Sequence, residues 1–154
     1  MALPTNDLMF LLHDVARLLR VEADKRARRN GMTRAQWVML IWLERRPGLS
    51  QKELAELLEV EPITVARLID RLEARGMVER RADPQDRRIW RLHLRPAALS
   101  VLSDIEQHRT EMVALVSAGL DAEAIEGMTE GLARMKQTLC VELRARARDV
   151  KEVA

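Results

Sequence analysis

The densest run of chemically capable side chains lies between Arg80 and Arg95, where six arginines meet only two acids, Asp83 and Asp86. Guanidinium groups at that density suit phosphate oxygens and base edges, which accept paired N–H donors. Within the run, Asp83-Pro84-Gln85-Asp86-Arg87-Arg88 begins with turn residues and ends on adjacent arginines. On a hairpin tip, Arg87 or Arg88 can enter a narrow, electronegative minor groove, with Asp86 accepting a hydrogen bond that sets a guanidinium's direction. The competing reading is a type I turn with incidental arginines. A second set precedes it. If Val65, Leu68, Ile69 and Leu72 turn inward on one helix, then Pro62, Ile63, Thr64, Ala66, Arg67 and Arg71 lie outward or on its flanks. Ile63 and Ala66 allow close approach and can meet thymine methyls, while Arg67 can pair bidentately with guanine or grip a phosphate. Thr64 falls in the first turn, where groups near bases or phosphates usually originate. Ser50 and Gln51, at the start of the preceding helix, complete the candidate DNA contacts. The alternative is a solvated surface helix with Arg67 and Arg71 paired to Asp70 and Glu73.

Catalysis finds no comparable support. His13, His93 and His108 are far apart, and there is no HExxH, Gly-rich phosphate loop or serine nucleophile elbow. His13-Asp14 has no third partner. The expectation is a non-enzyme without cofactor or metal. The single Cys140 excludes an internal disulfide and a CxxC motif, and is expected to be a small buried hydrophobe; the eight Met are expected to fill the core.

The elements that must hold the two arginine-bearing sets follow from periodicity and caps. A first helix is predicted from Asn6 or Asp7 to Arg29, with Leu8, Leu11, Leu12, Val15, Leu18 and Leu19 at helical spacing and Asn30-Gly31 as its stop. Thr33 to Gln36 reads as a capping box opening a second helix that buries Trp37, Val38, Leu40 and Ile41 and ends at Pro47-Gly48. Ser50 to Glu53 reads as another box, opening a short helix with Leu54, Leu57 and Leu58 inward. Glu61-Pro62 starts a fourth helix that ends at Gly76. Met77 to Arg81 and Ile89 to Leu94 then form a small hairpin, with Trp90, Leu92 and Leu94 on one face. Pro96 opens a long helix to about Ser117, with Leu99, Leu102, Ile105, Met112 and Leu115 spaced for burial. Asp121 caps a last helix carrying Ile125, Met128, Leu132, Met135, Leu139 and Leu143. The tight helix pair followed at once by a hairpin is a winged helix-turn-helix.

Composition agrees with a mainly α fold carrying one hairpin. The chain has 154 residues, 3% aromatic and no Tyr, which disfavours sandwich or barrel. No apolar run approaches a membrane span and no signal-peptide core is seen, so a cytoplasmic protein without membrane partners is expected. Net charge is only +2, yet residues 61–95 carry nine Lys/Arg against six Asp/Glu, and residues 96–154 carry seven against ten. A basic middle beside an acidic tail is how a nucleic-acid contact looks in an otherwise neutral protein.

Three stretches carry a specific resemblance: Gly48 to Leu58, Val65 to Arg80, and Asp83-Pro-Gln-Asp86-Arg-Arg88. Together they resemble the MarR family of bacterial transcription regulators over essentially the whole chain, and Gly31 to Trp37 resembles its SlyA-type branch. The resemblance implies an intertwined homodimer, with residues 31–95 as the DNA-binding lobe and residues 1–30 and 96–154 as the helical dimerisation region. It implies a regulator, more often a repressor, that reads a pseudo-palindromic operator in double-stranded DNA. By position, Thr64 and Arg67 match recognition-helix contacts and Arg87 or Arg88 the wing arginine. Arg95 stands where the family usually has Thr, losing a helix cap. The resemblance also implies a small phenolic or aromatic-carboxylate effector. His13, Arg17 and Arg20 share one helix face, and Arg17, Arg20, Trp37 and Ile41 match pocket positions. The alternative for that set is core packing by Trp37 and surface ion pairs by the arginines. For the whole protein the alternative is a winged-helix module that binds another protein rather than DNA.

Overall fold

Helix boundaries in the computed structural model are set by caps that can be named residue by residue. The structure describes residues 7–152, and side chains through residue 143; Asn6 and the outer ends of the expected dimerisation region lie outside it. Helix α1 (Leu8–Arg29) begins where Asp7 Oδ1 accepts the Phe10 N–H at 3.0 Å. It stops at Asn30, followed by Gly31 at φ 62°. Helix α2 (Arg34–Arg45) and helix α3 (Gln51–Leu58) each open with a reciprocal capping box, Thr33 with Gln36 and Ser50 with Glu53. Helix α4 (Pro62–Ala74) has no side-chain cap and relies on Pro62, whose missing N–H needs no partner. Three residues separate α3 from α4, and Glu59 makes the turn in the left-handed region at φ 53°.

The chain then reverses into β1 (Val78–Ala82) and β2 (Trp90–Leu94), antiparallel, with Val78 opposite Leu94, Arg80 opposite Leu92 and Ala82 opposite Trp90. Leu49 and Ser50 flank β2 on its other side: the Gly48 N–H donates to the Leu92 carbonyl at 3.0 Å, and the Leu92 N–H donates to the Leu49 carbonyl at 2.9 Å. The base of the wing is thereby stitched to the entrance of α3. A 3-10 turn (Pro96–Ala98) without a side-chain cap leads into α5 (Leu99–Val116), and α6 (Ala122–Glu152) follows.

Contacts divide the chain into two units, the first ending at Met112 and the second beginning at Val113. In the first, Met39, Leu40 and Leu43 of α2 meet Leu54, Val65, Ile69, Leu72, Val78 and Leu92, with Ala98 of the 3-10 turn and Leu102 and Ile105 of α5 in the same cluster. Two expectations about burial need correction here. On α2, Met39 and Leu43 are fully buried while Val38 and Ile41 are only half-buried, because α2 packs against α1, α4 and β2 and so buries more than one stripe. On α5, Leu102 and Ile105 are buried as expected, but Leu99 is 62% exposed, because the buried face is completed by Val101 and His108 and by Ala98 just before the helix.

The second unit holds the end of α5, a turn at Gly119, and α6, which Asp121 caps by accepting the Ala124 N–H at 2.8 Å. Leu115 is exposed there, as are Ile125, Met128, Leu132, Met135, Leu139 and Leu143. Cys140 is also exposed, contrary to the burial expected of it, since its own unit offers α6 no inward side. The methionines divide likewise: Met32, Met39 and Met77 are core, while Met9, Met128 and Met135 are exposed. No helix of the described residues is long and apolar enough to cross a membrane.

Leu92 is fully buried where hairpin and helices meet. Leu92→Ala is expected to lower unfolding free energy by about 2–5 kcal/mol, measured by urea denaturation at fixed protein concentration.

Candidate nucleic-acid interface

The wing is held by a guanidinium that sequence reasoning missed. Arg91 Nε donates to Asp83 Oδ2 at 2.7 Å, while Nη1 donates to Glu53 Oε2 at 2.9 Å and to the Gly48 carbonyl at 3.3 Å. Glu53 Oε2 also accepts the Ser50 N–H of the α3 capping box at 2.7 Å. Asp83 turns its other oxygen to the Gln85 and Asp86 N–H groups at 2.8 and 3.1 Å, fixing the bend at Pro84. The Arg91 hydrogen bond, ahead of those two backbone bonds, holds the Asp83 carboxyl below its ordinary range. Glu53 is lowered chiefly by Ser50, through its backbone and then its side chain, and by Arg91 after them. Alternation placed Arg91 on the outer face of β2, but nothing in the sequence named carboxylates from two other segments.

At the tip, Asp86 Oδ1 accepts the Arg88 N–H at 3.0 Å and Arg88 Nε at 3.2 Å. These bonds, the backbone one first, lower the Asp86 carboxyl. The carboxylate therefore directs Arg88. Arg87 is exposed and, among the described residues, in no ion pair.

On α4 the competing pairing does not form. Arg80 on β1 takes both acids: its Nη2 meets Asp70 Oδ1 at 2.6 Å, its Nη1 bonds Glu73, and Nη2 also reaches the Ala66 carbonyl at 3.5 Å. Asp70 and Glu73, three residues apart, offer one helix face two carboxylates; that spacing was the available signal for a cation arriving from elsewhere. Arg67 and Arg71 are left exposed and, among the described residues, outside any ion pair. Pro62, Ile63 and Thr64 are exposed and Ala66 half-buried, so α4 presents an open face of short side chains and cations. Ser50 and Gln51 are half-buried at the wing base, and Ser50 is engaged as a cap. The groove at the α3–α4 turn, about 600 Å³, is lined by Glu56, Glu59 and Glu61 with Lys52, and otherwise by Ala55, Val60, Pro62 and Thr64.

The residues matched to an effector pocket are not brought together within the chain. Trp37 is core, its ring edge-on to His108 with centroids 5.9 Å apart and its indole N–H without a partner. His13, Arg17 and Arg20 are exposed on α1, with Arg17 bonded to Asp14 at 2.7 Å. Ile41 lines a different space, a cavity of about 380 Å³ between α2 and α5, with Arg45, Leu99, Leu102, Ile105 and Arg109.

A helix-turn-helix followed by a hairpin whose base is stitched to the turn's first helix, with free arginines on the second helix and at the hairpin tip, defines a winged helix-turn-helix protein. Residues 32–90 of this chain match the family model described as the MarR family. Its fold is similar to that of the transcriptional regulator SlyA at 26% identity and TM-score 0.77, over 89% of this chain and 96% of that one. It is similar to MarR at 25% identity and TM-score 0.81, over 95% and 99%. The fold is shared with S. aureus MepR, solved as a DNA complex, at 23% identity and TM-score 0.71, over 86% and 96%.

Because the Asp83 and Glu53 carboxyls are depressed, their contribution is present above the ordinary values of 3.8 and 4.5 and is lost as pH falls through the lower folded values. The wing is therefore expected to keep its structure at neutral pH and loosen below about pH 4. Asp83→Asn is expected to show the loosened state already at neutral pH. The Gln85 amide resonance, followed by NMR titration, checks both.

Proposed function

We propose that this protein is a homodimeric transcriptional regulator that reads a pseudo-palindromic operator with α4 in the major groove and the wing tip in the adjacent minor groove. One observation carries the reading: Arg80 occupies Asp70 and Glu73, so Arg67 and Arg71 face outward uncompensated beside the exposed Arg87. An arginine already paired with a neighbouring carboxylate would have to break that pair to meet DNA; these do not. Residues 31–95 act as the reading lobe, with Ser50, Gln51, Pro62, Ile63, Thr64, Ala66, Arg67, Arg71, Asp86, Arg87 and Arg88 as the contact set. Residues 1–30 and 96–154 act in pairing. The apolar faces of α1 and α6, exposed in the single chain, support that pairing. A two-fold dimer would space its half-sites roughly 10 base pairs apart. Occupying such a site near a promoter blocks transcription, so repression is the assigned outcome.

Within the same reading, a small aromatic carboxylate releases the DNA. Ile41 lines a cavity of about 380 Å³, room for one such acid; Arg45 is its cation outside any ion pair among the described residues, while Arg109 there is paired with Glu106, and Glu44 also lines it. His13, Arg17 and Arg20 remain the α1 residues of that proposal, although they do not line this cavity, and Trp37 contributes by packing on His108 of α5.

DNA upstream of the protein's own coding sequence, titrated at two salt concentrations, tests the reading. Saturable, salt-sensitive binding is expected, with Arg67→Ala costing about 1–3 kcal/mol and relaxing sequence preference. Arg87→Ala should weaken binding and reduce the salt slope by about one. Leu132→Glu on α6 should give a monomer in sedimentation and abolish operator binding. Benzoate added to the complex should release DNA, and Ile41→Trp, by filling the cavity, should prevent release. Failure to bind any member of a genomic fragment library would favour the protein-binding module instead.

A further inference from the structure

Trp90 is the one large aromatic side chain of the wing, and the core does not use it. It is 47% exposed, whereas Trp37 is buried and Trp42 half-buried. Its orientation follows from the register. Residues directly opposite in an antiparallel pair share a face, as do residues two apart on a strand. Val78, Arg80 and Ala82 therefore share a face with Leu94, Leu92 and Trp90. That face looks at α4, because Arg80 bonds Asp70, Glu73 and the Ala66 carbonyl. Toward the base of the wing it is filled by Val78 and Leu92, both buried. Toward the tip it ends in the pair Ala82 and Trp90, and Ala82 is too small to cover an indole. Trp90 thus stands on the recognition-helix side of the wing, uncovered, between the core and the tip arginines Arg87 and Arg88.

This placement gains a meaning on the reading above, on which the inference rests. With α4 in a major groove and the wing tip in the neighbouring minor groove, the sugar-phosphate strand that separates the two grooves must pass between α4 and the tip. We propose that Trp90 packs its ring on a deoxyribose of that strand and donates its indole N–H to the adjoining phosphate, making it a backbone-positioning residue. An indole suits the task, with an apolar face for the sugar and a single donor for the oxygen. Sugar and phosphate are the same in every sequence, so this contact adds affinity without selectivity.

The test uses the full-length protein with the operator fragment and an unrelated fragment. Trp90→Ala is expected to weaken binding to both by roughly tenfold, leaving their ratio unchanged. Trp90→Phe keeps a ring and loses the donor, so it should fall between Ala and wild type. Neither variant should alter the salt slope, since no cation is removed. Thermal unfolding should stay near wild type, because the side chain is half exposed. Tryptophan emission should change on DNA addition in the wild type, and that change should vanish in Trp90→Phe. Wild-type affinity in Trp90→Ala, or an emission change that survives in Trp90→Phe, overturns the role of Trp90 and leaves the DNA reading intact. Absence of DNA binding by the wild type overturns both.

Discussion

Arg91 is where the wing, the helix-turn-helix and the connection between them become one object. Its guanidinium spans Asp83 at the hairpin bend and Glu53 at the entrance of α3, and reaches the carbonyl of Gly48 besides. A two-stranded hairpin alone is marginal in water. Here one fork of donors, together with the Leu92–Leu49 backbone bond, fixes its base and its bend to a helix that is itself capped by the same carboxylate. The angle between the hairpin and the reading helix is then a property of side-chain geometry rather than of loop flexibility.

The same principle allocates the remaining arginines. Those that meet carboxylates across elements are structural: Arg91 with Asp83 and Glu53, Arg80 with Asp70 and Glu73, and Arg26 with Asp104 at 2.7 Å. Each such pair joins different elements and uses up an acid that would otherwise neutralise a neighbour. Among the arginines outside any ion pair in the described residues are Arg67 and Arg71 on α4 and Arg87 on the wing, alongside others on α1 and α2. A chain with a net charge of only +2 can therefore present a locally uncompensated cationic face.

Local signals made most of this fold legible. Both capping boxes, the proline start of α4, the Gly76 stop and the Asp121 cap formed as the sequence indicated, because each is complete within a few residues. Burial was less legible where one helix touches several neighbours. Met39 is as deep as Leu40, and at the start of α5 Ala98 and Val101, small enough for close packing, face inward where Leu99 does not. Cys140 and the α6 stripe look like core in sequence, since apolar spacing does not say whether the covering surface belongs to the same chain. Of the site, the outward set on α4 and the Asp86–Arg88 contact were readable from spacing. Arg80 and Arg91 were not, because their partners lie at sequence distances that periodicity does not reach.

The end of α1 meets the end of α4 in a way that has a mechanical meaning. Asn30 donates its side-chain N–H to Asp104 Oδ2 at 2.7 Å, while its carbonyl and that of Gly31 accept from Arg75, just past α4, at 3.0 and 3.3 Å. The end of α4 is thus tied to the end of α1, and its 13 residues form an arm of about 20 Å ending at Pro62. With such an arm, a tilt of roughly 6° at the tied end sweeps the first turn through about 2 Å, more than the tolerance of a hydrogen bond to a base. Because Val65, Ile69 and Leu72 are fully buried along α4, such a tilt would have to repack the core, so α1, α5 and the first turn of α4 can only shift together.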